Sequence, residues 1–153
     1  MVTHLTLQIT ATETRIFSAE ADVRLPLGDS VIDGFVFRHS PVTAYEAEVA
    51  IEHIENRIIP ARATLPAGEL ILHCPDPRLN YQLTGDEADF LSTEEIERAF
   101  NEIVNVISGS PVSSTSLPSD KQFTAFLLII REITHHWGLV GLVPGTAGKN
   151  DVI

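Results

Sequence analysis

Apolar and polar residues alternate at the start of the chain, then recur at intervals of three and four from about residue 44 onward. Leu5, Leu7 and Ile9 alternate with His4, Thr6, Gln8 and Thr10, the period of a half-buried strand. A turn near Ala11 to Glu13 leads into a second run, Thr14 to Ala19, and Asp22 to Leu25 continues that run or forms a third. Pro26, Gly28 and Asp29 punctuate the chain before Val31 to Phe37, an apolar run whose length predicts a central strand. The first forty residues therefore read as an antiparallel meander with one face covered.

The stretch from Phe35 to Ile59 passes from strand into an amphipathic helix with two candidate starts. Ser40-Pro41 offers a capping hydroxyl followed by proline in the first helical position. Thr43 and Glu46 offer capping-box spacing three residues later. In either frame Ala44, Ala47, Ile51, Ile54 and Ile58 form one apolar stripe, and Pro60 is expected to end the helix.

After a loop from Pro60 to Gly68, Glu69 to Cys74 predicts a short apolar strand, ended by Pro75 and Pro77. Tyr81 to Leu83 fits a brief strand or a turn of helix. Ser92 with Glu95 is a capping box that opens a second helix, and Leu91 with Ile96 can form the hydrophobic staple. Its stripe is Ile96, Ala99, Phe100, Ile103 and Ile107, and Gly109 is placed for the C-terminal cap. Ser108 to Ser119 reads as a polar low-complexity loop, either a mobile lid or a plain linker.

A third helix is expected from Ser119, capped with Gln122, to Trp137 before Gly138. Its stripe of Phe123, Phe126, Leu127, Ile130, Ile133 and Trp137 is widened by Leu128 and Ile129. A helix apolar on more than one side needs more than one neighbour, so it is either the central core helix or one side of a subunit contact. The tail should pack at its apolar start and be flexible from about residue 144. There is no internal repeat. Strands early and helices late predict an α+β fold over residues 1–153, a single domain. Its N-terminal, mostly antiparallel sheet of four to five strands should pack against about three helices as a two-layer sandwich.

Composition narrows the partners. With 10 basic against 21 acidic residues the formal net charge is −11, and no Lys/Arg cluster offsets it. Nucleic acid and an anionic membrane surface are therefore not expected partners. The single cysteine, Cys74, excludes an intramolecular disulfide framework. The N-terminus has no basic region followed by an apolar core, and no apolar run is long enough to span a bilayer, which predicts a cytoplasmic protein.

Candidate chemistry rests on histidines and carboxylates. His39, Glu46 and His53 lie on or beside the first helix and could form a polar-substrate or divalent-cation site; the plainer alternative is a solvated acidic face with local pairing. His73 could join His39 or His53 if its strand lay beside Val31 to Phe37. Glu132, His135 and His136 have helical spacing that could ligate a metal, or pair a base with its orienting carboxylate. Here the alternative is an ordinary helix C-terminus with histidines placed for the dipole.

Cys74 reads as a core residue. The segment from Pro144 to Lys149 fails as a phosphate loop: Val143 stands at its first glycine position, Asn150 at its Ser/Thr position, and no helix follows. No nucleotide or hydrolase-elbow motif is present. Two functions remain as expectations. The favoured one is a protein-binding or self-associating assembly module, motivated by the third helix. The other is a small enzyme with a histidine–carboxylate site, its cofactor a divalent metal if it has one.

Overall fold

The computed structural model describes residues 2–79 and 90–145. Its elements are β1 (Val2–Ile9), β2 (Thr14–Phe17), β3 (Asp22–Leu25), α1 (Ala44–Arg62), β4 (Glu69–His73), β5 (Leu91–Ser92), α2 (Thr93–Ile107), α3 (Lys121–His136) and β6 (Gly141–Val143). The fold is α+β, as the periodicities predict, with the sheet ordered β3-β2-β1-β4-β6-β5. The sheet has six strands, more than expected, and it is mixed. β1/β2, β2/β3 and β5/β6 are antiparallel, while β1/β4 and β4/β6 are parallel. A parallel pair needs a crossover connection, and α1 supplies it between β1 and β4.

Alternation along the strands decides which face is covered. Leu5, Leu7, Ile9, Ile16, Leu70, Leu72 and Leu142 join residues of α1, α2 and α3 in one buried cluster. The intervening residues, among them Thr6, Gln8, Arg15 and Phe17, lie on the other face. There the Arg15 guanidinium lies 3.9 Å over the Phe17 ring and pairs with Asp22.

Val31 to Phe37 is not a strand. Ile32 makes only isolated bridges, to Leu27 and to Phe35. Asp33 and Gly34 have φ of 48° and 84°, so the chain reverses inside the apolar run, and Ile32 and Phe35 exchange backbone hydrogen bonds of 2.8 Å. Positive φ at both central residues is what a type I′ turn requires. The turn is tied to α1 by Arg57, whose guanidinium donates to both oxygens of Asp33 at 2.9 and 3.1 Å.

α1 takes the later of its two frames. Thr43 is the N-cap, and its capping box with Glu46 is complete. Ser40 instead accepts a hydrogen bond from the Lys121 amide at the start of α3. Ala44 is exposed and Ile51 only half-buried, so the buried line is Ala47, Ala50, Ile54, Ile58 and Ala61. Pro60 does not stop the helix, which continues to Arg62. A proline removes one hydrogen bond in the final turn, and tertiary contacts outweigh that loss. Ala61 is buried, Arg62 donates to the carbonyls of Pro66 and Gly68, and the Trp137 indole donates to the Ile58 carbonyl at 2.9 Å.

α2 begins at its predicted capping box, with Gly109 (φ 118°) just beyond its end. α3 is capped by Asp120, not Ser119, because the Asp120 carboxylate accepts from the Phe123 amide at 3.0 Å. Every residue from Phe123 to Ile130 is buried. α1 and α2 flank α3, so its wide apolar surface is covered within this chain. Thr124 and Thr134 return their hydroxyls to backbone carbonyls four residues back, which satisfies them inside this apolar setting. The predicted element at Tyr81 to Leu83, and the tail from residue 146, lie outside the described residues.

Gly28 marks a close approach. The segment after β3 docks on the β1–β2 turn through hydrogen bonds from Asp29 N to Thr10 O and from Ser30 N to Ala11 O, both 3.0 Å. A Cβ on residue 28 would lie 2.2 Å from the Ala11 carbonyl oxygen and 2.4 Å from the Thr12 nitrogen. Backbone on both sides cannot give way as a side-chain tip can. Gly28→Ala should therefore destabilise the protein by about 1–3 kcal/mol, measured as a lower urea midpoint at unchanged slope.

Candidate functional site

The parallel pairing of β1, β4 and β6 brings their carboxyl ends to one edge of the sheet. A cleft of about 280 Å³ lies there, lined by Thr6, Gln8, Thr10, Phe17 and Asp76 among others. Asp76 follows β4 and is held in place by Arg78. The Arg78 amide and Nε donate to Oδ1 at 3.0 Å each, and Nη2 donates to Oδ2 at 2.8 Å. Arg78 also donates to Asp29 at 2.9 Å, and its guanidinium lies 3.8 Å over the ring of Phe126 in α3. One arginine thus joins the strand edge, the segment after β3 and the core helix. A bidentate, stacked guanidinium of this kind fixes a carboxylate's direction in a way lysine cannot.

Cys74 lies beside this edge but is no nucleophile. It is fully buried, and that burial, with Asp76 adding and Arg78 opposing, pushes its thiol up to about 12. A thiol kept protonated at neutral pH is a small apolar residue.

The histidines and carboxylates singled out by spacing fall in separate places. His39 meets Glu46: its Nδ1 lies 3.1 Å from Oε1. Glu46 is buried and also accepts from the backbone amides of Arg38 at 2.6 Å and Thr43 at 2.9 Å. Burial alone would raise its pKa, but these donors, with His39, outweigh it and hold the carboxyl below its ordinary range. His53 is with Asp33 at 3.6 Å and stacks on Phe35. His73 joins neither His39 nor His53, because β4 pairs with β1 and β6 and no strand forms at Val31 to Phe37. Its Nε2 instead lies 2.8 Å from Nδ1 of His4, a residue whose spacing gave no signal.

Glu132 and His136 come together as their spacing suggested. His135 does not join them: it is exposed, its ring edge-on to His136 at 5.0 Å between centroids. The third member is Glu55 of α1. His136 Nε2 lies 2.9 Å from Glu55 Oε2 and 3.2 Å from Glu132 Oε1. The side chain of Glu132 has no exposed surface, and its Oε2 accepts from Arg131 at 2.7 Å. Arg131 is itself held by Glu97 and stacked on Phe100.

Burial pushes the Glu132 carboxyl above its ordinary range; Arg131 opposes the shift and Glu55 adds to it. Glu55 lies below its ordinary range: its own burial would raise it, but contacts with Glu132, His136 and Arg131 outweigh that.

No helix among the described residues is long and apolar enough to cross a membrane. No family model and no curated protein matches the chain in sequence. Solved structures do match it in fold. The type II variant of the Ppx/GppA phosphatase from Aquifex aeolicus aligns with a TM-score of 0.65 at 12% identity, covering 92% of this chain and 52% of that one. A crystal structure of the Aquifex aeolicus member of the Ppx/GppA family aligns at 0.66 and 13% identity, covering 92% and 51%. A structure of the Aquifex aeolicus PPX-GPPA enzyme aligns at 0.62 and 14%, covering 92% and 52%. The chain thus shares a fold with these proteins and spans about half their length.

Proposed function

We propose that the chain is an enzyme domain that hydrolyses a phosphate ester in the cleft at the carboxyl edge of β1 and β4. The observation that carries this is Asp76, a carboxylate locked in one direction by Arg78 on the wall of the cleft. Open α/β sheets bind ligands outside the carboxyl ends of their parallel strands, which supports this edge over the rest of the surface. The phosphatase activity stated for a structural neighbour supports the reaction class. In this scheme Asp76 accepts a proton from water as its oxygen attacks phosphorus, and the ester P–O bond breaks with the leaving oxygen protonated from solvent. Gln8, on the cleft wall, supplies a hydrogen-bond donor to the phosphate oxygens. Self-association loses its original motive, because the apolar faces of α3 are covered by α1, α2 and the sheet.

The test is hydrolysis of p-nitrophenyl phosphate by the full chain. Asp76→Asn, which keeps one of the two oxygens that accept from Arg78, should lower kcat/KM by about 100-fold with the circular dichroism spectrum unchanged. No turnover by the wild type, or equal turnover by Asp76→Asn, would reject the assignment.

A further inference from the structure

The packing of α1 on α3 brings together three potential ligand atoms from separate turns of helix. They belong to Glu55, Glu132 and His136 and lie within 4.8 Å of one another. None of the three lines the strand-edge cleft, so a site at this cluster is independent of the phosphate-ester assignment. We propose that these residues form a site for one divalent first-row transition cation, with Glu55, Glu132 and His136 as its protein ligands and water in the remaining positions.

Acidic clusters are common without metals; what distinguishes this one is Glu132. Its side chain is wholly buried, Oε2 is taken by Arg131, and Oε1 lies 3.2 Å from His136 Nε2 without a hydrogen bond of acceptable geometry. A buried ionisable oxygen that accepts no hydrogen bond is costly unless something fills the place it faces. The atom nearest it on this side is His136 Nε2, which Glu55 also meets.

The spacing fits. Tetrahedral bonds of about 2.0–2.1 Å put ligand atoms roughly 3.3 Å apart. The two distances from the imidazole nitrogen, 2.9 Å to Glu55 and 3.2 Å to Glu132, need only a small outward movement. The donor set of one imidazole and two carboxylates suits zinc, manganese, iron(II) or cobalt better than calcium or magnesium, which take oxygen donors. Charge fits as well, because Arg131 offsets only one of the two carboxylates. The remaining surroundings form an outer shell: Arg131, braced by Glu97 and stacked on Phe100, holds the Glu132 carboxylate in place.

Calorimetric titration of the metal-free full chain with Mn²⁺ or Zn²⁺, and the visible spectrum of the Co²⁺ form, test the site. One ion should bind per chain. Glu55→Gln and His136→Ala should each weaken binding at least tenfold, with the Co²⁺ bands altered in His136→Ala. His135→Ala should leave affinity and spectrum as in the wild type. Glu55→Gln changes a partly exposed residue and guards against a folding defect at the buried Glu132. Absence of binding by folded wild-type protein would overturn the proposal. So would affinities unchanged in Glu55→Gln and His136→Ala, or an equal loss in His135→Ala.

Discussion

Replacing Phe126 by alanine should cost about 3–5 kcal/mol, the range for removing a buried aromatic ring. The ring has no exposed surface, lies in the middle of the most buried helix and packs 6.4 Å from Phe123. At about 2–4 °C per kcal/mol for a chain of this size, the loss is easily resolved by scanning calorimetry. It is also a sizeable part of the roughly 5–15 kcal/mol by which domains are stable at all. The same ring carries the Arg78 guanidinium at 3.8 Å, so the change would loosen the clamp on Asp76. Phe126→Leu separates the two effects. It keeps most of the apolar volume, so stability should fall by less than half as much, while the stacking surface under Arg78 is gone. A loss below about 1 kcal/mol for Phe126→Ala, the scale of a surface change, would mean that α3 is not the axis of the core.

Glu46→Ala should be the next most damaging change, at about 3 kcal/mol. The carboxylate is buried and accepts from two backbone amides, those of Arg38 and Thr43, as well as meeting His39. Hydrogen bonds to a charged group are worth about 1.5–3 kcal/mol each, and the truncation would leave both amides without their acceptor. It would also open the capping box that starts α1. The pH dependence has a definite sign. The folded-state pKa of Glu46 is lowered, so its stabilisation is present above the unfolded carboxyl value, near 4.3, and is lost as pH falls through the folded one. Glu132, shifted upward mainly by burial, acts oppositely, contributing stability at acid pH that is lost as pH rises through its folded value. Melting temperature against pH should therefore have a shallower acid limb in Glu46→Gln than in the wild type. An identical acid limb would mean that Glu46 plays no part in acid unfolding.

What the sequence made legible was local. Both capping boxes, Thr43 with Glu46 and Ser92 with Glu95, are formed as their spacing implied, because a cap is decided within four residues. Asp33-Gly34 is equally local, but it sits inside an apolar run whose length favours a strand over a two-residue turn. The pairing of β4 with β1 could not be read, since a parallel register depends on how a whole helix crosses over. The sites divide in the same way. Glu132 and His136 are neighbours by helical spacing, whereas Glu55 reaches them only through the packing of α1 on α3. Asp76 gave no signal either, because its place at the carboxyl edge of parallel strands follows only from the β1/β4 pairing.

The most direct test of the strand-edge site is an amide correlation spectrum of isotope-labelled protein titrated with phenyl phosphate. A phosphate-ester site there predicts saturable shifts concentrated on residues 6–10 and on Asp76 and Arg78, with Asp76→Asn changing their pattern. Shifts confined to other surfaces, or none at millimolar ligand, would contradict it.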